Sequence, residues 1–159
     1  MTDTPPEILY RERLWASVWF FLATALVIPA TLLVFFPINP GVGIAVAVVL
    51  YAGCVAVLIA NSAVVQVTTE AFHAGRARLP IQFIGETAGF REPEATVQRG
   101  ARLDARAWLL IRGWVSPVVR VTVTDDHDPT PYWLVSTRHP EKLVEAIETA
   151  QRRAAETPR

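Results

Sequence analysis

Cysteine occurs once in this chain, at Cys54 inside an apolar run, so neither an intramolecular disulfide nor a cysteine-based zinc site can form. Lysine also occurs once, at Lys142. Arginine supplies the remaining positive charge, and with abundant Ala and Val this is the bias of a GC-rich bacterial genome. Acidic and basic residues balance to a net charge of zero, so nothing in the bulk charge points to nucleic acid. The most informative absence is local. No Asp, Glu, Lys or Arg stands between Arg13 and Glu70. Glycine-rich phosphate loops, H-E-x-x-H and dinucleotide fingerprints are also missing. The chain is therefore expected not to be an enzyme, with no catalytic, cofactor-binding or metal-binding residue and no cofactor.

The uncharged stretch divides into two apolar runs, 14–36 and 41–60. As helices they reach roughly 34 and 30 Å at about 1.5 Å per residue, which matches a hydrocarbon core of about 30 Å. A cleaved signal peptide does not fit, because Glu7 and Glu12 precede the first run and a second run follows. Between them Pro37-Ile38-Asn39-Pro40 makes a tight reversal, since two prolines in four residues cannot continue a helix. Residues 1–13 form a cytoplasmic N-terminal segment in this reading, 14–36 and 41–60 two transmembrane helices, and 37–40 an extracytoplasmic turn. Arg11, Arg13, Arg76 and Arg78 flank the hairpin, so the positive-inside rule places both termini in the cytoplasm of a bacterial plasma membrane. Tyr10, Trp15 and Trp19 are placed for an interfacial aromatic belt, or for packing on the soluble part.

Small residues recur along both runs: Ala16-Ser17, Ala23-Thr24 and Ala30-Thr31 in the first, and Ala45, Ala52, Gly53, Ala56 and Ala60 in the second. Such faces let membrane helices approach closely. They serve either the packing of the two helices on each other or a homo-oligomer. Pro29 predicts a kink between Ala25 and Pro29. With no ionisable side chain in either run, a transporter or channel is not expected.

From 61 to 159 the pattern becomes that of a cytoplasmic, β-rich domain with its own apolar faces, expected to fold without the hairpin. Strands are predicted at Val64–Thr69, Ala71–Ala74, Arg76–Leu79, Ile81–Ile84, Ala107–Arg112, Val118–Thr124 and Tyr132–Thr137, with Gly75 at a turn. Gly113 to Pro117 reads as a hairpin loop. The stretch from Arg91 to Arg106 is polar and left as a helix or loop. A final helix over 140–155 starts on Pro140 and carries Leu143, Ala146, Ile147, Ala150 and Ala154 on one stripe, with Glu148 and Arg152 spaced to pair opposite. Short strands followed by one amphipathic helix give a pleckstrin-homology-like barrel whose end the helix plugs. The alternative is a generic α+β sheet domain.

Three segments carry a family resemblance: Tyr10-Arg11-Glu12-Arg13-Leu14-Trp15, Gly75-Arg76-Ala77-Arg78-Leu79-Pro80, and Asp128-Pro129-Thr130-Pro131-Tyr132-Trp133-Leu134-Val135-Ser136-Thr137-Arg138. With these the chain, roughly from Tyr10 to Ala150, resembles actinobacterial two-span membrane proteins of unknown function, the alanine-rich transmembrane proteins. The strand order resembles the membrane-attached bacterial pleckstrin-homology proteins. The resemblance implies a membrane protein and supplies no activity.

Asp125-Asp126-His127-Asp128 is the densest acidic cluster. It lacks the glycine-spaced ligands of a calcium loop and reads as a solvated turn. The candidate interaction surface is Arg76, Arg78, Arg112, Trp114 and Arg120, because Arg and aromatic side chains are what interfaces use. The function expected is that of a non-enzymatic, membrane-tethered protein-binding or scaffold module. It would meet an unidentified membrane or cytoplasmic protein, with no nucleic-acid partner. The alternative is a sensor of anionic lipid headgroups at the inner face of the bilayer that holds it.

Overall fold

The computed structural model describes residues 6–156, so the outer ends of the expected terminal segments, 1–5 and 157–159, lie outside the described residues. Two compact units result, and the division is not linear. Trp15–Ser62 forms one unit, and the described residues up to Leu14 join those from Ala63 onward in the other.

The hairpin unit holds three helices: α1 (Val18–Ala25), α2 (Val27–Phe35) and α3 (Pro40–Ala60). Val18–Phe35 and Pro40–Ala60 are each long and apolar enough to cross a membrane. The break between α1 and α2 falls at Leu26, three residues before Pro29, where the missing amide of proline was expected to bend the chain. Residues 15–17 are not helical, so the first span starts at Val18 rather than at residue 14. At the reversal the Asn39 side chain accepts from Gly41 N at 3.0 Å and Val42 N at 3.3 Å, an N-cap set before Pro40. Gly43 and Ala47 are the buried residues of α3. A Cβ on Gly43 would stand 2.9 Å from Phe35 Cβ, so this glycine lets α3 approach α2. Ala45, Ala52, Gly53, Ala56 and Ala60 are exposed. That series is therefore not what joins the two helices.

The other unit contains two four-stranded sheets. The first is a meander, β1 (Ile8–Arg13), β2 (Val64–Thr68), β3 (Ala71–Ala74) and β4 (Ala77–Pro80), antiparallel throughout. Residues 1–13, expected only to lead into the hairpin, thus supply a strand. Arg13 lies opposite Val64, and Leu14 N donates to Ala63 O at 2.8 Å. The whole helical hairpin is an insertion between two hydrogen-bonded neighbours.

The second sheet orders β5 (Ile84–Phe90), β7 (Val118–Val123), β8 (Tyr132–Ser136) and β6 (Trp108–Leu110). Three expectations are corrected here. Residues 81–83 form a 3-10 turn, and the strand begins only at Ile84. Its glycines hid it. A Cβ on Gly85 would meet Thr124 Cγ2 at 2.8 Å, and one on Gly89 would meet Pro140 Cβ at 3.0 Å, so close packing excludes the usual β-branched residues. β6 pairs with β8 in parallel and not with β7, so residues 113–117 cross over rather than form a hairpin loop. The described strands also stay in two separate sheets. The barrel is not closed, because no described strand pairs across from one sheet to the other.

Side chains alternating inward from both sheets meet α5 (Pro140–Glu156) in one core: Leu14, Val65, Val67, Phe72, Val119, Val121, Trp133, Val135, Leu143 and Ile147 among others. The predicted stripe on α5 is buried at Leu143, Ala146, Ile147 and Ala150, whereas Ala154 is exposed. Arg152 donates to Thr149 Oγ1 at 3.0 Å rather than pairing with Glu148. The outer face of the second sheet carries a smaller core of Val118 and Leu134 under Ala95 of α4 (Glu94–Arg99). The polar stretch after Phe90 is held down there. Tyr132 OH accepts from Asp104 N at 2.8 Å, and ion pairs join Arg99 to Glu92, Arg102 to Glu94 and Arg106 to Asp104.

Candidate functional site

The expected interaction residues separate into two places. Arg76 follows Gly75, whose φ of 63° makes the tight β3–β4 turn, and Gly75 N donates to Val64 O at 2.7 Å. This turn therefore lies at the end of the first sheet where the chain leaves at Leu14 and returns at Ala63. Trp114 Nε1 donates to Leu14 O at 3.3 Å, and Arg112 N donates to Ser136 Oγ at 3.0 Å. Arg76, Arg112 and Trp114 accordingly gather at these chain exits, with Arg78 one residue into β4. Arg120 does not join them. It stands on the outer face of the second sheet, its guanidinium 5.8 Å from the Phe90 ring and 5.7 Å from the Tyr132 ring.

Strand register adds residues that the sequence reading had not assigned to a surface. Arg11 lies opposite Gln66, Gln66 opposite His73, and His73 opposite Arg78. These four form one transverse row. Val65, Val67, Phe72 and Leu79 beside them point into the core, so the row occupies the other face. Arg13 and Arg76 extend it towards the exits, and Arg11, Arg13, Arg76 and Arg78 are all exposed. Glu70 is the acid that meets this row, 3.6 Å from Arg78. Burial, and the Arg78 charge beside it, lower the His73 pKa, so its neutral form is favoured.

A second cluster was not legible at all. The Glu12 side chain, 10% exposed, receives Tyr10 OH at 2.7 Å, Thr137 Oγ1 at 2.6 Å and Arg138 N at 3.1 Å, with Arg138 NH1 3.5 Å away. Thr137 is fully buried and its Oγ1 also accepts from His139 N at 3.2 Å. Burial, with the Glu12 carboxylate adjacent, holds the Tyr10 hydroxyl well above the ordinary phenol range. Tyr10 thus packs within the strand-rich unit, whereas Trp15 and Trp19 are exposed. The cluster clasps β1 to the junction of β8 and α5. Bonds to a charged acceptor are worth about 1.5–3 kcal/mol each, so it anchors the residues that run into the hairpin. Two of the segments that carried the family resemblance, Tyr10 to Trp15 and the one ending at Arg138, meet here. Nothing in a single sequence signals a contact across more than a hundred residues.

Asp125, Asp126 and Asp128 lie in the β7–β8 turn. His127 N donates to Asp125 Oδ1 and Thr130 N to Asp128 Oδ1, both at 2.9 Å. These carboxylates shape their own turn. Ser136 and His139 are likewise engaged by backbone: Ser136 Oγ accepts from Arg112 N, and His139 O accepts from Leu143 N at 3.1 Å. At the start of α5, Arg91 Nε and NH2 both reach Glu141 at 2.7 Å and lower its pKa to about 2. Among the described residues no group of three His, Cys, Asp or Glu side chains is placed to hold a metal ion.

No curated protein and no solved structure matches this chain. A family model does match, over residues 9–147, from β1 into α5 and across the whole hairpin. The chain thus belongs to DUF3093, a family of proteins of unknown function.

Proposed function

We propose that this protein is a non-enzymatic binding or scaffold module held at the inner face of a bacterial plasma membrane by its hairpin. The observation that carries the reading is the insertion of that hairpin between β1 and β2, adjacent strands of one sheet. A domain tethered by one flexible linker tumbles. One whose anchor enters and leaves through hydrogen-bonded neighbours has two attachments a strand spacing apart, about 4.8 Å. A domain joined to its anchor at two points of one sheet suits a platform for a partner. The membrane reading is supported by how little of the hairpin is buried. Thr31 in α2, and Gly43 and Ala47 in α3, are its buried helical residues, while Leu33, Val34, Val48 and Val49 are each more than half exposed. A core helix of a soluble protein buries such side chains.

Orientation follows from the arginines flanking the spans and the uncharged turn between them. In a Cys54→Ala background, Ile38→Cys is expected to react with an impermeant thiol reagent in intact cells. Asp126→Cys should react only after lysis, and the reverse pattern would invert the protein. The scaffold role has its own test. Gly113 is exposed, and a Cβ there meets nothing within 4 Å, so a photoreactive residue fits between Arg112 and Trp114. Crosslinking in native membranes should give a discrete protein adduct. Adducts to lipid alone would end the scaffold reading.

A further inference from the structure

The first sheet carries a basic face. At the end where the chain leaves for the hairpin stand Arg13, Arg76, Arg112 and Arg138, brought together by the Arg13–Val64 pairing, the Gly75–Val64 bond and the bond from Arg138 NH1 to Arg13 O. At the opposite end stand the acidic turns, Glu70 between β2 and β3 and Asp125, Asp126 and Asp128 between β7 and β8. The acids that share the exit end are engaged by arginines: Glu12 by Arg138, Glu92 by Arg99 and Glu141 by Arg91. The arginines of the first sheet thus share the row from Arg11 to Arg78 and the exits, with Glu70 meeting the row at Arg78, while the far end holds the Asp turn together with the Arg153–Glu7 pair.

We infer that this basic face of the first sheet, Arg11, Arg13, Arg76 and Arg78, binds anionic headgroups of the bilayer that holds the hairpin. The inference rests on the membrane reading above, and chain length gives it reach. Only four residues separate Arg13 from Val18 at the start of α1, so the strand end lies within roughly 18 Å of the span at no more than about 3.6 Å per residue. Headgroup regions add about 5–8 Å to each side of the hydrocarbon core, and the surface potential extends about another 8–10 Å. A linker short of full extension brings Arg13 inside that field, and Arg76, in the β3–β4 turn at the same end of the sheet, with it. Arginine suits the chemistry, because its planar fork takes phosphate oxygens in pairs.

The test uses the full chain reconstituted in lipid nanodiscs with spin-labelled phosphatidylglycerol or spin-labelled phosphatidylcholine, read as the fraction of label immobilised by the protein. Wild type should prefer phosphatidylglycerol by about five-fold or more, the factor that a single surface arginine contributes, and the preference should shrink as salt is raised. A triple variant, Arg11→Gln, Arg76→Gln and Arg78→Gln, should lose most of it. The same three positions changed to Lys should keep it, and Arg152→Gln on α5 should leave it untouched. Should the triple variant misfold by circular dichroism, the single variants Arg11→Gln and Arg76→Gln decide, each expected to lower the preference. Equal immobilisation of both lipids by wild type would overturn the inference and leave the face to an acidic protein, with the anchor intact. An unchanged preference in folded glutamine variants would overturn it as well. A chain washed out of bilayers by alkaline carbonate would overturn the anchor reading and this inference together.

Discussion

A chain in which Leu14 is joined to Ala63 through an Asn-Gly turn, with residues 15–62 removed, is expected to be soluble and to melt cooperatively, whereas a fragment starting at residue 61 is not. The two ends are hydrogen-bonded neighbours on antiparallel strands, 2.8 Å from N to O, which is the situation a two-residue type I′ turn bridges. The joined chain keeps β1, the fully buried Leu14 and the clasp on Glu12. The fragment loses all three. Burial of Leu14 alone is worth about 1.5–3 kcal/mol, and Thr137 Oγ1 and Arg138 N would lose the Glu12 carboxylate that accepts from them. An orphaned buried hydroxyl or amide costs about 1–3 kcal/mol. Against a domain stability of about 5–15 kcal/mol, these losses leave little. Circular dichroism and thermal melts of the two proteins settle the matter. A fragment from residue 61 that melted as cooperatively as the joined chain would show that β1 is an accessory strand.

The second large effect is Ile147→Ala in the full chain or the joined chain. Ile147 is fully buried among the strands and Leu143, one turn away on α5, is too. Truncating such a side chain costs about 2–5 kcal/mol, enough for a fall of many degrees in melting temperature in a domain of this size. Glu148→Ala on the exposed side should stay within about 0.5 kcal/mol of the parent. Equal melting of both variants would mean that α5 does not close the core. Because α5 packs against both sheets, the same substitution should also loosen the strands that carry the arginine row.

Comparison of expectation with structure shows which physical signals act locally. The two apolar helices were legible because a span needs length and apolarity alone, and both are written in consecutive residues. So was α5, whose stripe repeats every three or four residues. The strands rich in Val and Ile were legible for the same reason, since alternation is a property of neighbours. β5 was not, because Gly85 and Gly89 are there to make room for Thr124 and Pro140, side chains distant in sequence. The parallel placement of β6 against β8 and the separation of the strands into two open sheets were likewise unreadable, because pairing partners leave no mark on a single strand.

The candidate surface divides in the same way. Composition pointed to Arg76, Arg78, Arg112 and Trp114 because these residue types are useful at interfaces, and the fold brings them to one end. It pointed to Arg120 by the same logic, yet register turns that side chain to another face, where two rings flank it. Arg11 and His73 entered only through register, a property of four strands together. Sequence by itself determined that this protein has a membrane-compatible hairpin and a charged domain, since hydrophobic transfer is a sum over residues. Tertiary structure alone decided that the hairpin interrupts a sheet, that Glu12 clasps the junction before α5, and that Arg11 and Arg78 share one row across four strands. Each of those depends on which distant residues become neighbours when a common core is buried.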